Sequence, residues 1–359
     1  MEARKSSSAR GWLVTLVGML AAVAIAINMF KVPPTMGLLM ADLGIGPALG
    51  GWLMTVPTVT GLVLALPSGG LTDKFGPKKV GLFAILSAAV GSLIGSFAPN
   101  IELLLFSRFV EGLSFALIGV AVPAIIALWF SPEKSGAPMA IWSGWVPIGM
   151  LAIFTGANLF IAADDPGTWA NVWWLSTALL VAAAVLYLVF VKAPEGYAAE
   201  DAPKISLVEG MKSPSTWLLA VVFAMFAFIM YAVSTFAPTY CMEELGYSLE
   251  DSNLYSSLIT VGMILDVVLM TPVLNKVVRL KSRIWLLVAS MVLTALIAVL
   301  AFNVPPSATV AVMIITGIVL QLVPAVIWPI APSAAVAPVY IGTTFGVIAL
   351  GRSIGGFGN

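Results

Sequence analysis

Apolar stretches of about 20 residues, each long enough to cross the hydrocarbon core of a bilayer as a helix, follow one another along nearly the whole of this 359-residue chain. Ten are complete: Trp12 to Met40, interrupted by Pro33 and Pro34, then Trp52 to Leu71, Val80 to Phe97, Ile101 to Phe130, Met139 to Phe160, Trp173 to Val191, Trp217 to Pro238, Leu254 to Leu274, Ile284 to Phe302 and Val310 to Ile330. An eleventh opens near Ile341 and is cut off at Asn359. Only 9% of residues are charged, where a soluble domain carries roughly 25%. The pattern predicts an all-α, multi-pass membrane protein.

The residue inventory excludes several functions. There is no histidine, so the commonest general base and metal ligand is missing, and the single Cys241 allows neither a disulfide nor a thiolate cluster. No enzyme, metal or cofactor is expected. The 17 basic and 17 acidic residues balance, and no basic run outside the short loops points to nucleic acid. The partners that remain are the lipid bilayer and a small solute.

Orientation follows from the basic residues. With the N-terminus inside, Arg4, Lys5, Arg10, Lys74, Lys78, Lys79, Lys134, Lys192, Lys204, Lys212, Lys276, Arg279, Lys281 and Arg283 all fall on the cytoplasmic side, 14 of the 17. The outer loops carry acids such as Asp164, Asp165, Glu243, Glu244, Glu250 and Asp251. A short apolar core followed by a small-residue cleavage site is missing at the start, so the first span reads as a retained helix. The longest polar stretch, 192–215, contains Glu195, Gly196, Glu200, Asp201, Pro203, Lys204 and Lys212. It divides the chain into an N-terminal six-helix bundle (1–191), a cytoplasmic linker (192–215) and an incomplete C-terminal bundle (216–359), with parallel pseudo-symmetry between the halves. Leu274-Asn275-Lys276 ahead of Arg279 and Lys281 is a degraded echo of Leu71-Thr72-Asp73-Lys74.

Gly69-Gly70-Leu71-Thr72-Asp73-Lys74-Phe75-Gly76-Pro77-Lys78-Lys79 follows the second span and resembles the loop signature of the major facilitator superfamily. The residues make physical sense on their own: Gly69 and Gly70 permit close helix approach, Gly76 a tight turn, and Asp73 can face a helix N-terminus while Lys74, Lys78 and Lys79 hold the inner side. Arg108-Phe109-Val110-Glu111-Gly112 is similar to the family's fourth-helix signature, with glutamate where glutamine is common. Phe30-Lys31-Val32-Pro33-Pro34, Trp129-Phe130-Ser131-Pro132 and Ile141-Trp142 look like the cyanate permease and nitrate transporter branch. The resemblance implies the major facilitator fold of two six-helix bundles with pseudo-two-fold symmetry, here truncated within helix eleven. It implies a secondary active transporter that works by alternating access in the cytoplasmic (inner) membrane as a monomer. It also implies that Asp73 latches the halves on the inner side, with an acceptor around Gly342 to Thr344 and with Gly69, Asp73, Lys74, Gly76, Lys78 and Lys79 as the gating motif.

Five ionisable residues fall in the spans: Lys31, Arg108, Glu111, Asp266 and Arg352. Such groups face a water-filled path by default. Arg108 and Glu111, three apart, share a helix face and can pair. Three cations against two carboxylates leave a cavity that favours an anion, which makes Lys31, Asn28, Arg108 and Arg352 candidates for substrate binding, with Trp142, Tyr231 and Gln321 completing a pocket. Protons would ride on Glu111 or Asp266. Pro147 with Gly144 and Gly149 bends span five without the Gly-Pro pattern of the family's antiporters, which favours symport. The sequence thus predicts proton-coupled symport of a small anion; proton-coupled drug efflux and a non-transporting sensor or fragment are the alternatives.

Overall fold

The computed structural model describes residues 8–131, 133–162, 164–194, 207–247, 249–303 and 305–357. Arg4, Lys5 and, in the linker, Glu195, Gly196, Glu200, Asp201, Pro203 and Lys204 lie outside the described residues, as do the side chains of Glu243 and Glu250.

Ten helical segments among the described residues are long and apolar enough to cross a membrane. The first is made of α1 (Ser8–Phe30) and α2 (Val32–Leu43), which part at Lys31. Then come α3 (Pro47–Phe75), α4 (Pro77–Ser96) and α5 (Ile101–Trp129). The fifth segment is again double, α6 (Gly136–Ser143) and α7 (Trp145–Gly156), and α8 (Trp169–Phe190) is the sixth. After a short helix α9 (Leu207–Gly210) follow α10 (Pro214–Glu243), α11 (Leu249–Lys276), α12 (Leu280–Leu300) and α13 (Thr309–Ala334). The last helix, α14 (Ile341–Phe357), spans 17 residues.

Local chemistry sets the boundaries. Proline opens α3, α4 and α10, where its missing N–H costs nothing because the first turn has no intrahelical acceptor. Asn100 Oδ1 caps α5 by accepting from Leu103 N at 3.0 Å. Gly76, at φ 84°, turns α3 directly into α4 and donates its N–H to Thr72 O at 3.0 Å, a backbone state that favours glycine. Large apolar side chains such as Leu20, Val63, Leu218, Val268 and Val299 are exposed, as expected where the solvent is hydrocarbon.

Internal prolines have a second effect. A proline offers no N–H to the carbonyl four residues earlier, and in an apolar medium that oxygen must find another donor. Three carbonyls at that offset do so through side chains from other helices. Met29 O, ahead of Pro33, accepts from Arg108 Nη2 at 2.9 Å, and Leu53 O, ahead of Pro57, accepts from Arg108 Nε at 2.8 Å. Ser143 O, ahead of Pro147, accepts from Gln321 Nε2 at 2.9 Å. Ala334 O, freed because α13 ends there, accepts from Ser213 Oγ at 2.6 Å and Thr216 Oγ1 at 3.0 Å.

The helices before residue 192 meet those after 207 where α14 packs on α3 and α5 and where α11 and α13 pack on α6. Glycine makes the approach close: a Cβ on Gly69 would sit 2.7 Å from Gly342 O and 2.8 Å from Thr343 Cα. These contacts lie toward the end of the bundle that carries Lys74, Lys78, Lys79, Lys212 and Lys276, the basic face.

Candidate functional site

Behind the break in the first span lies a buried cluster of charge. Lys31 Nζ donates to Asn28 Oδ1 at 2.7 Å, Ser92 Oγ at 2.9 Å and Glu111 Oε1 at 2.8 Å. It also sits 4.3 Å from the centre of the Trp173 ring. Arg108 pairs with the other Glu111 oxygen and holds the carbonyls of Asn28, Met29 and Leu53. The side chains of Lys31, Arg108 and Glu111 are all 0% exposed. One turn of α5 therefore satisfies the broken α1–α2 junction, the Pro57 bend of α3 and a lysine at once. Gly91 and Gly112 let α4 and α3 come close enough: a Cβ on Gly91 would lie 2.6 Å from Glu111 Cγ, and one on Gly112 2.7 Å from Pro57 Cα.

This closed network differs from the expected binding site. Lys31, Asn28 and Arg108 do not line the cavity described below; their polar atoms are engaged by one another and by backbone. Glu111 is likewise engaged on both oxygens. The i, i+3 spacing exposes the Arg108–Glu111 pair in the sequence, but nothing local announces that Lys31, 80 residues away, completes it.

The cavity itself lies between the two groups of helices and holds about 120 Å³. Met29 and Phe30 of α1, Met54, Pro57 and Thr58 of α3 and Phe115 of α5 form one side; Tyr231 of α10 and Arg352 and Ser353 of α14 form the other. The Arg352 guanidinium carbon stands 4.9 Å from the Phe115 ring centre, within cation–π range. Among the described residues neither Arg352 nor the Tyr231 hydroxyl makes a hydrogen bond. Of the three intramembrane cations, Arg352 alone faces the cavity without a protein acceptor among the described residues.

Other expected pocket residues lie elsewhere. Trp142 is fully buried and stacks on Trp145 with ring centres 5.4 Å apart, and Trp145 in turn touches Phe115 at 4.9 Å. It therefore supports the cavity wall from behind. Gln321 is spent on Ser143, on the carbonyl at 2.9 Å and the hydroxyl at 3.1 Å, and so joins α13 to α6. The signal for that contact was Pro147, whose missing N–H frees the Ser143 carbonyl. Asp266 is buried in α11, and neither carboxyl oxygen has a hydrogen-bond partner among the described residues.

At the basic face Asp73 spans the two groups of helices. Its Oδ1 accepts from Gly342 N at 2.7 Å, and its Oδ2 accepts from Thr343 N at 2.7 Å and from the Thr343 hydroxyl. The carboxylate thus takes the unsatisfied amides at the start of α14, where the helix dipole favours negative charge. Lys78 Nζ donates to Leu188 O at 3.2 Å, Lys74 lies 5.2 Å from the Phe75 ring centre, and Lys79 also has an interaction partner. Gly69→Ala is expected to force α3 and α14 apart and to slow any transport cycle at least tenfold, because the new methyl meets backbone rather than a yielding side chain. A rate equal to that of the unaltered protein would show the seam to be looser than its distances.

The Major Facilitator Superfamily sequence pattern matches residues 16–358. A probable nitrate/nitrite transporter of Mycobacterium tuberculosis is 26% identical over 330 residues, 88% of this chain and 79% of that protein. A multidrug resistance protein B homolog of the same organism is 31% identical over 130 residues, 35% of this chain and only 23% of that longer protein. Among solved structures, the proton:xylose symporter bound to 6-bromo-6-deoxy-D-glucose superposes with a TM-score of 0.75 at 14% identity, covering 98% of this chain and 88% of that one. Helix order, the Asp73 contact and these matches agree that this multi-pass membrane protein is a transporter and belongs to the major facilitator superfamily.

Proposed function

We propose that this transporter moves a small anion across the cytoplasmic membrane by alternating access, in symport with protons. The observation that carries the reading is Arg352, a cation facing the cavity between the halves with no protein acceptor among the described residues. Desolvating a guanidinium is costly unless an anion arrives to pair with it, so a cavity lined by such a group favours an anionic visitor. The match to a probable nitrate/nitrite transporter along 88% of the chain supports the same class of cargo. The cavity, at about 120 Å³, is smaller than the roughly 300–1,000 Å³ of drug-sized sites, which speaks for a small solute over a bulky drug.

Helices of 1–191 and 216–359 act as two bodies, joined by the 192–215 linker, that rock about the cavity as a monomer. The distribution of basic residues supports a cytoplasmic N-terminus and a cytoplasmic Asp73 seam. In this scheme the Asp73 contacts hold the halves together on that side in one half of the cycle and part in the other. Asp266 is the proton carrier of this scheme. Glu111 is clamped between two cations, whereas Asp266 has neither cation nor donor against it among the described residues, which favours a carboxyl that holds a proton.

Uptake into proteoliposomes tests the proposal, using a panel of small anions and an inward proton gradient. Arg352→Gln is expected to lower uptake by about 10- to 100-fold, the value of a charge-assisted contact. Asp266→Asn is expected to abolish accumulation against a gradient while leaving exchange of anion for anion. Anion uptake indifferent to Arg352→Gln would sink the reading, as would extrusion of lipophilic dyes with no anion movement.

A further inference from the structure

The cavity's donors are few and lie at one end, and this narrows the anion. Thr58 donates its hydroxyl to Met54 O at 2.9 Å and Ser353 donates to Ala349 O at 3.1 Å, so both protons are committed to their own helices. What remains to greet an anion is the Arg352 guanidinium and the Tyr231 hydroxyl. Opposite them Met29, Met54, Phe30, Phe115 and Pro57 present thioethers, rings and a pyrrolidine. The site therefore has one polar corner, made by Tyr231 and by the Arg352 guanidinium where it reaches over Phe115 of α5, and is apolar along α1 and α3.

Inorganic oxyanions do not match that polarity. Nitrate spreads its charge over three equivalent oxygens and cyanate over both ends. Leaving water would strand at least one charged atom of either against a wall with no donor, which is costly. A monocarboxylate concentrates charge on two oxygens and carries an apolar body at the other end. A cavity of about 120 Å³ suits a short aliphatic chain. We infer that the cargo is a short-chain organic monocarboxylate, its carboxylate on Arg352 and Tyr231 and its alkyl body among Met29, Met54 and Phe115. The inference rests on the anion-carrier reading of the same cavity.

Binding to the purified full chain in detergent tests it and avoids the passive permeation of short acids through bilayers. Radiolabelled butyrate is the probe, displaced by acetate, propionate, butyrate, nitrate or cyanate. Affinity is expected to rise about fourfold per added methylene, the value of burying one CH₂, while nitrate and cyanate in hundredfold excess displace less than half of the probe. Tyr231→Phe should weaken every carboxylate by about tenfold with the chain-length series preserved, and Arg352→Gln should weaken them by about 10- to 100-fold. Arg352→Lys, with unfolding midpoints recorded for all variants, separates a lost charge from a lost fold.

Failure of the inference and failure of the anion reading look different. Arg352-dependent binding of nitrate or cyanate in preference to carboxylates, or a series flat in chain length, overturns the carboxylate assignment and leaves the anion carrier standing. Binding of neither class by folded protein overturns both.

Discussion

A Glu111→Gln chain is expected to lose about 3–5 kcal/mol of stability, with the unfolding midpoint in detergent lowered by about 10 °C. Glu111 is the one anion between two cations, Lys31 and Arg108, and all three side chains are 0% exposed. Removing its charge leaves two positive groups facing each other with no counterion, the situation in which breaking a buried pair costs most. The comparison that gives the number meaning is Lys31→Met. That change takes away the surplus cation and leaves the Arg108–Glu111 pair neutral, so its cost, about 1–2 kcal/mol, is that of the hydrogen bonds lost at Asn28, Ser92 and Glu111. Thermal unfolding of the two variants side by side decides the matter. Equal losses would mean that the cluster is held by packing around Trp173 and not by its charge balance.

The second large effect is conformational. Asp73 accepts from two backbone amides and a hydroxyl at the start of α14. Charge-assisted bonds of that kind are worth about 1.5–3 kcal/mol each in favourable cases. Asp73→Ala is expected to weaken the closed seam by about 2–4 kcal/mol, a change of roughly 30- to 1,000-fold in the balance between closed and open basic faces. Spin labels at positions 78 and 276, with Cys241→Ser to remove the native thiol, would report it as a longer distance across the basic face. Asp73→Asn, which keeps one acceptor oxygen but no charge, should fall between. An unchanged distance distribution in Asp73→Ala would show that the glycine packing of Gly69 against Gly342 holds the seam unaided.

Much of the fold is legible because a bilayer imposes a length on every apolar segment, and the ten complete spans read from the sequence correspond one for one with the ten helical segments. The Asp73 acceptor was expected from the family resemblance, since every helix start offers spare amides and physics alone does not choose among them. The site was less legible. Charges inside spans can be counted from the sequence, but whether they face a path or one another depends on helix rotation and on partners tens of residues away. Hence Lys31 and Arg108 read as pocket residues yet are held in a closed network, while Arg352, last in the chain, faces the cavity. Trp142 and Gln321, read as pocket residues, meet a neighbouring ring and a freed carbonyl in this structure, and an aromatic or an amide in a span looks the same in sequence whichever it meets.

The proline offsets bear on how such a chain is assembled in the membrane. When α1–α2 and α3 enter the bilayer, the carbonyls of Met29 and Leu53 have no donor within their own helices, and each unsatisfied group in hydrocarbon costs several kcal/mol. Both await one guanidinium, on a helix that is synthesised later. The first two spans therefore reach their lowest-energy arrangement only after the fourth has been inserted. Arg108 thus ties the first two spans to the fourth, so that neither of the early helices is fully satisfied without it.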